Sequence, residues 1–357
     1  VLLVLVALIV VPAAGTNALA RWLMPWKNTP RYTFAQLEPG ADSIVVPLAE
    51  PFDIKATLSE STAWEPSKGS ARYGKQDPVS AELKDGEYRF EIPPQKSPDT
   101  LSLAIGDARE KIQIEPTARP ELTSINAKIR LPSYLQYSED QTKDVRGGSV
   151  SIVKGSNAVF NASATRKLKD ATVDGVPAKV SGQQLISASQ PVQDDTTLEI
   201  AWQDELGLSA KQPFKLTVRA VEDEAPSLAC SDLTREQVVL NTEVIRFEIQ
   251  SEDDFGIKEI GLEWEGIEDP LRNPHPSQGE KPIAGGEPEQ TNLDASAVFS
   301  AEREGINPQS LKLRVYTVDY LPGRERVYSP TYVLHVLSPE EHAIWITNQM
   351  RKWFRRA

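Results

Sequence analysis

Apolar and polar residues alternate along most of this chain in short runs that end at glycine, proline or aspartate. This pattern predicts half-buried β-strands joined by turns. Clear runs begin at Tyr88, Leu101, Leu198 and Leu311. The 27 prolines and 20 glycines are scattered without a period, as expected for many short strands. We therefore predict an all-β fold made of β-sandwiches.

A closing pattern occurs twice and divides the chain into repeats. Trp202 and Tyr316 each precede an aspartate (Asp204 and Asp319), a glycine-containing turn, a proline and a final alternating strand. The spacing of this pattern, roughly 110 residues, fits tandem immunoglobulin-like modules and not a solenoid of shorter repeats. We predict three such modules, at residues 32–119, 120–222 and 223–337.

Residues 266–297 interrupt the third predicted module. They are rich in proline, glycine, asparagine and glutamate and contain few apolar residues. This composition predicts a long, solvated loop.

The first twenty residues carry no charge, and the first charged residue is Arg21. Two interpretations stay open for residues 1–26. They form a transmembrane helix with Trp22 and Trp26 at the membrane surface, or a secretory signal that ends near Ala18-Leu19-Ala20. Both place the rest of the chain in the periplasm or outside the cell. The basic residues that follow the apolar segment would alone favour the opposite orientation.

A helix is predicted to begin at Ser338, because a serine cap precedes Pro339 and two acidic residues. Apolar side chains then recur three or four residues apart on one face, the spacing of a surface that packs on the last module or begins a coiled coil. Residues 338–357 are thus predicted to begin an amphipathic helix that binds a protein partner or self-associates. The residues on this face are Ala343, Ile346, Met350, Trp353 and Ala357.

Composition removes several classes of function. A net charge of −12 argues against a nucleic-acid-binding surface, which needs clustered lysine and arginine. The single Cys230 cannot form an internal disulfide. Ser151 and Lys154 have the spacing of a serine–lysine acylation motif, but they lie in an alternating strand without its companion motifs. We predict no catalytic residues, no cofactor and no enzymatic activity.

Acidic residues suggest one candidate site. Glu222, Asp223 and Glu224 lie at the boundary of the second and third modules, and Asp253 and Asp254 lie at a strand end. Carboxylate oxygens gathered at a junction between modules are typical calcium ligands, and the turn residues Asp204 and Asp319 are further candidates. The alternative is that these acids form turns and are solvated.

Several of these stretches resemble a large uncharacterised bacterial family. They are Arg21-Trp22-Leu-Met-Pro25-Trp26 after an apolar segment, Ser251-Glu-Asp253-Asp254-Phe255-Gly256, and Leu337-Ser338-Pro-Glu-Glu341-His342. In that family membrane helices precede immunoglobulin-like domains, and long charged helices follow. The resemblance implies an envelope protein anchored in the bacterial inner membrane, and it carries over no catalytic residue.

The sequence therefore predicts a membrane-anchored, non-enzymatic scaffold of the cell envelope. The alternative is an array of ligand-binding or carbohydrate-binding modules attached to a catalytic region outside this sequence. An exposed aromatic platform would favour that alternative, with Trp64 and Trp264 as its candidates.

Overall fold

A computed structural model describes residues 11–27, 29–269, 273 and 275–355. Strands account for 50% of the chain and helices for 9%, so the predicted all-β class is confirmed. The chain forms two compact units. The first contains residues 1–123, 162–185 and 199–214, and the second contains residues 124–161, 186–198 and 215–357. The predicted division into three modules stays a prediction.

The first seven strands form two sheets that face one apolar core. The sheet orders are β1-β7-β6-β3-β4 and β2-β5. Alternate side chains of these strands are buried, including Tyr88, Phe90 and Leu101, as strands covered on one face require. The strands are β1 (Ser43–Pro47), β2 (Phe52–Thr57), β3 (Lys68–Tyr73), β4 (Val79–Glu82), β5 (Glu87–Ile92), β6 (Asp99–Ile105) and β7 (Ala108–Thr117).

The next eleven strands are divided between the two units. In the first unit β12 pairs with β17, and Ala171 lies opposite Trp202. In the second unit β8 pairs with β9. The strands are β8 (Leu122–Arg130), β9 (Gln141–Asp144), β10 (Ser149–Val153), β11 (Asn157–Ala164), β12 (Leu168–Val173), β13 (Val176–Pro177), β14 (Lys179–Ser181), β15 (Gln184–Ile186), β16 (Gln190–Pro191), β17 (Thr196–Asp204) and β18 (Phe214–Val221).

The last nine strands belong to the second unit and form sheets of order β19-β21-β24 and β20-β27-β25-β22-β23. Their core contains Phe247, Trp264, Phe299 and Leu313. The strands are β19 (Ser227–Ser231), β20 (Glu236–Leu240), β21 (Ile245–Glu252), β22 (Ile257–Gly266), β23 (Gln278–Gly285), β24 (Asn292–Phe299), β25 (Ser310–Asp319), β26 (Val327–Tyr328) and β27 (Tyr332–Leu337).

One pairing recurs three times along the chain. A short early strand pairs in parallel with a late strand in β1–β7, β10–β18 and β20–β27. The late strands of the second and third pairs, β18 and β27, are those that end the closing pattern seen in the sequence. The repeated sequence pattern thus corresponds to a repeated structural closure.

The prediction of a long loop at residues 266–297 is wrong. Strand β23 pairs with β22, and β24 pairs with β21 along its whole length, Ile245 to Phe299 and Glu252 to Asn292. Leu293, Ala297 and Phe299 are buried in the core. The middle of β24, Asp294 to Ala297, alternates polar with small side chains, so its apolar alternation is weaker than in the other strands.

Two helices flank the strands. Helix α1 spans Pro12–Leu23, and no helix among the described residues is both long and apolar enough to cross a bilayer. Residues 1–10 of the predicted span lie outside the described residues. Helix α2 spans Pro339–Phe354, and Ser338 and Glu341 form a reciprocal capping box.

Candidate functional site

Three of the five predicted calcium ligands lie together in the second unit. One carboxylate oxygen from each of Asp223, Asp253 and Asp254 lies within 4.8 Å of the others. Asp253 Oδ2 accepts hydrogen bonds from the backbone N–H groups of Phe255 and Gly256, at 3.0 and 2.6 Å. Its Oδ1 is buried and has no hydrogen-bond partner. We call Asp223, Asp253 and Asp254 the acidic cluster.

The other two predicted ligands do not join the cluster. Glu222 forms an exposed ion pair with Lys154, 3.0 Å between Oε1 and Nζ, and this pairing lowers the pKa of Glu222. Glu224 contributes its backbone carbonyl, which accepts a hydrogen bond from Arg324. The prediction of five carboxylate ligands is therefore corrected to three, because neighbouring residues on an extended chain point in different directions.

Arg324 is the centre of this region. Its guanidinium forms ion pairs with the carboxylates of Asp319 and Asp223, the latter at 3.3 Å. It also donates hydrogen bonds to the backbone carbonyls of Asp223 and Glu224. The side chains of Asp319, Asp223 and Arg324 are only 3%, 4% and 15% exposed. We call this set of contacts the Arg324 clamp, because one side chain binds both the turn at Asp319 and the segment at residues 223–224.

Burial and mutual repulsion raise the pKa of the acids around Arg324. Burial raises the pKa of Asp223 and that of Asp319, and it outweighs the opposing effect of the arginine charge. The pKa of Asp254 is raised to about 6 by desolvation and by the negative charges of Asp253 and Asp223, although much of its side chain is exposed. One arginine thus faces more acidic groups than it can neutralise.

Two tyrosines complete the region. Tyr134 Oη donates to Asp223 Oδ2 at 3.0 Å, and Tyr137 Oη donates to the Phe255 carbonyl at 3.0 Å. Burial and the Asp223 carboxylate raise the pKa of Tyr134, so its hydroxyl keeps its proton. Tyr134 is the middle residue of a short 3₁₀ turn at Ser133–Leu135, and Tyr137 follows the turn.

A counterpart of the Arg324 clamp occurs in the first unit. Arg166 Nη2 lies 2.7 Å from the carboxylate of Asp204, which is 1% exposed, and Arg166 also donates to the Ala118 carbonyl. Asp204 in turn accepts from the backbone N–H groups of Leu206 and Leu208. We call this the Arg166 clamp. Asp319 likewise accepts from the N–H of Leu321.

The two clamps share one design. A buried aspartate at the end of an aromatic strand shapes the turn that follows and pairs with an arginine. That arginine then binds the segment at which its own predicted module begins, Ala118 for Arg166 and residues 223–224 for Arg324. The sequence identified both aspartates, but as turn residues or metal ligands. Arg324 had a local signal, since it follows Asp319 by five residues, whereas Arg166 lies far from Asp204 in the chain.

Helix α2 is the second feature of interest. None of its residues is buried, and Ile346, Met350 and Trp353 are all exposed, Trp353 to 68%. We call Ala343, Ile346, Met350 and Trp353 the α2 seam; Ala357, the fifth residue predicted for this face, lies outside the described residues. Beside the helix is a cleft of about 1190 Å³ whose lining includes Glu268, Ile344 and Trp345.

A serine, a histidine and a glutamate line this cleft and contact one another. Ser310 Oγ lies 2.8 Å from His335 Nδ1, and His335 Nε2 lies 3.0 Å from Glu236 Oε1. In a catalytic triad the serine contacts Nε2 and the acid contacts Nδ1. The order on the ring is reversed here, and the three residues lie on neighbouring strands β25, β27 and β20, so we interpret them as a polar row across the sheet.

The structure separates the two aromatic candidates for carbohydrate binding. Trp264 is buried against Phe299 with ring centroids 5.8 Å apart, which excludes it from a surface platform. Trp64 is about half exposed.

Comparison with known proteins identifies no activity for this chain. No family model and no curated protein matches the chain. Fibronectin(III)-like modules of Clostridium thermocellum CbhA are 13% identical, over 53% of this chain and 94% of theirs, with a TM-score of 0.28. A complex of Dpr2 Ig1-Ig2 with DIP-Theta Ig1-Ig3 gives 10% identity, over 85% of this chain and 99% of the matched chain, with a TM-score of 0.24.

A Corynebacterium diphtheriae protein described as membrane anchored is 11% identical, over 85% of this chain and 91% of its own, with a TM-score of 0.19. Values this low identify no function. The strands and their pairing show a mostly β chain whose sheets enclose apolar cores, and the immunoglobulin-like class of its modules stays a prediction. The predicted membership of the bacterial envelope family stays a prediction.

Proposed function

We propose that this chain is a non-enzymatic interaction scaffold of the bacterial cell envelope. In this proposal the apolar segment at residues 1–20 anchors the protein in the inner membrane, and the β-sandwiches lie outside the cytoplasm. Helix α2 contacts a protein partner. The bacterial source and the location rest on the sequence resemblance and on the uncharged first twenty residues.

The observation that carries the proposal is the α2 seam. The large apolar residues of the strands are mostly buried in the sandwich cores, whereas Ile346, Met350 and Trp353 form an exposed row on one face of a well-capped helix. Exposed apolar side chains at this spacing are typical of helices that dock on another protein. The capping box supports the role, because it fixes where the helix begins.

The two clamps support a structural role for the chain, because they restrict its motion. In each clamp one arginine connects a buried aspartate to the segment at which the same predicted module begins. Such buried, multiply bonded arginines restrict motion more than surface ion pairs do. A scaffold needs this restriction, since the position of the partner-binding helix depends on it.

A photo-crosslinking amino acid at position 353 tests the proposal in living cells. We expect a discrete crosslinked species with the probe at 353, in place of Trp353, and none with the probe at exposed Val176 in the first unit. A variant with polar residues at 346 and 350 should lose the crosslink. Equal crosslinking at 353 and 176, or none at either, would contradict the proposal.

The alternative is a carbohydrate-binding array, and exposed Trp64 is the observation that favours it. Trp64 packs beside Gly106, where an added Cβ would lie 2.5 Å from the indole ring, and about half of its side chain stays exposed. If a glycan array finds a ligand that Trp64→Ala abolishes, this alternative replaces the scaffold. If no glycan on the array binds, the scaffold function is favoured over carbohydrate binding.

As a second candidate function, we propose that the acidic cluster binds calcium. The buried, unpartnered Oδ1 of Asp253 favours it, because calcium would supply the missing partner. The Arg324 charge opposes it, since arginine already neutralises part of the cluster. Calorimetry decides: we expect heat on adding calcium that Asp253→Asn removes, and no heat at millimolar calcium would exclude the site.

A further inference from the structure

We propose that the occupant of the α2 seam is the same seam of a second copy of this chain, running antiparallel. This inference rests on the proposed function and specifies its partner. It follows from the order of side chains along the seam and from the distribution of charge along the helix.

The seam is complementary to itself in one orientation. If two α2 helices run antiparallel about Asn348, Ala343 lies opposite the partner's Trp353, and Ile346 lies opposite the partner's Met350. The smallest side chain thus faces the largest at both ends of the contact, the arrangement that fills an interface without voids. A parallel pair would place tryptophan against tryptophan at one end and alanine against alanine at the other.

The charges favour the same orientation. The first turn of α2 carries Glu340 and Glu341, and the last turn carries Arg351 and Lys352. In an antiparallel pair the acidic end of each helix lies beside the basic end of the other. The two helix dipoles then point in opposite directions, which is a favourable arrangement. Parallel helices would place like charges at both ends.

The expected dimer is symmetric. The described part of the helix, Pro339–Phe354, is about 24 Å long, so the contact made by these residues alone is smaller than a standard stable interface. The contact is isologous, because each copy offers the same seam, and it therefore closes at two copies without forming fibres. We expect a Kd in the micromolar range or weaker, which calls for a trapping experiment.

Disulfide trapping tests the partner and the orientation together. In a Cys230→Ser background, one version of the chain carries Ala343→Cys and a second carries Trp353→Cys. Both positions are exposed on a helix without buried residues, so neither variant should impair folding. We expect a disulfide-linked pair when the two versions are mixed under mild oxidation, and at least tenfold less when either is oxidised alone. An antiparallel pair separates identical positions by about 15 Å.

Two outcomes would overturn the inference. Efficient disulfides within each version alone would show a parallel pair, and no disulfide in any arm would show that the seam does not bind itself. If no arm reacts while the probe at 353 still crosslinks to a different protein in cells, the self-pairing is wrong and the proposed function stands. If that crosslink is also absent, both are wrong.

Discussion

Replacing Arg324 by methionine is the sharpest perturbation of the second unit. Methionine keeps most of the length of the side chain but removes the charge and all four of its contacts with Asp319, Asp223 and Glu224. The carboxylates of Asp319 and Asp223 are then buried without their cation. Breaking a buried ion pair on one side costs about 3–5 kcal/mol.

The matched control is Lys312→Met in strand β25. Lys312 pairs with Glu265 at 3.7 Å, and both side chains are about half exposed. Exposed pairs of this kind contribute about 0–1 kcal/mol. Both variants remove one positive charge from the second unit. The difference between their effects on stability therefore measures what burial adds to the ion pair.

Hydrogen exchange is the suitable assay, because a chain of two units has no single free energy of unfolding. We expect faster exchange in β25 and β27 of Arg324→Met at neutral pH and almost none of this effect in Lys312→Met. The double variant Arg324→Met/Asp319→Asn should recover part of the loss, because asparagine still accepts from Leu321 without a charge.

The pH dependence gives a second check on the same variant. Without Arg324 the buried carboxylates relieve their cost by taking up protons, so the loss should shrink as the pH falls from 7.5 to 5. If Arg324→Met resembled Lys312→Met at every pH, the Arg324 clamp would contribute no more than a surface ion pair.

Three further predictions test other parts of the structure. The carboxyl of Asp254 should titrate near pH 6 when it is followed by NMR, and Asp253→Asn should lower that midpoint because it removes one negative charge. Because the pKa of Asp254 is raised in the folded state, its protonation stabilises the fold at low pH. This contribution is lost as the pH rises through about 6. Phe299→Ala should destabilise the most protected amides of β21 and β24 by about 3–5 kcal/mol in hydrogen exchange and Asp294→Ala by less than about 0.5, whereas equal effects of the two variants would favour the predicted loop. Arg166→Met should speed hydrogen exchange around Asp204, and unchanged exchange there would exclude the Arg166 clamp.

Local patterns in the sequence predicted much of the fold. Alternation identified strands such as β5 and β6, whose buried residues are large, and the cap at Ser338 predicted the start of α2. Strand β24 was not predicted, because its burial depends on pairing with β21. That strand lies more than 30 residues earlier in the chain, so the pattern of neighbouring residues does not reveal the contact.

The candidate site was predicted only in part, for the same reason. Acidic composition identified Asp223, Asp253 and Asp254, but it could not show that Glu222 turns towards Lys154. Sequence reasoning missed Arg324 and Tyr134, because their roles depend on contacts across about 100 residues of chain. A buried aspartate at a strand end raises the question of its cation, and that question could have led to the arginine.

Each arginine holds the segment whose carbonyl it contacts, and hydrogen exchange of Arg166→Met and Arg324→Met measured side by side tests this role of the two clamps. We expect faster exchange around residues 118–121 only in Arg166→Met, and around residues 222–225 only in Arg324→Met. Unchanged exchange at both segments, or the same change in both variants, would show that the arginines do not hold these segments.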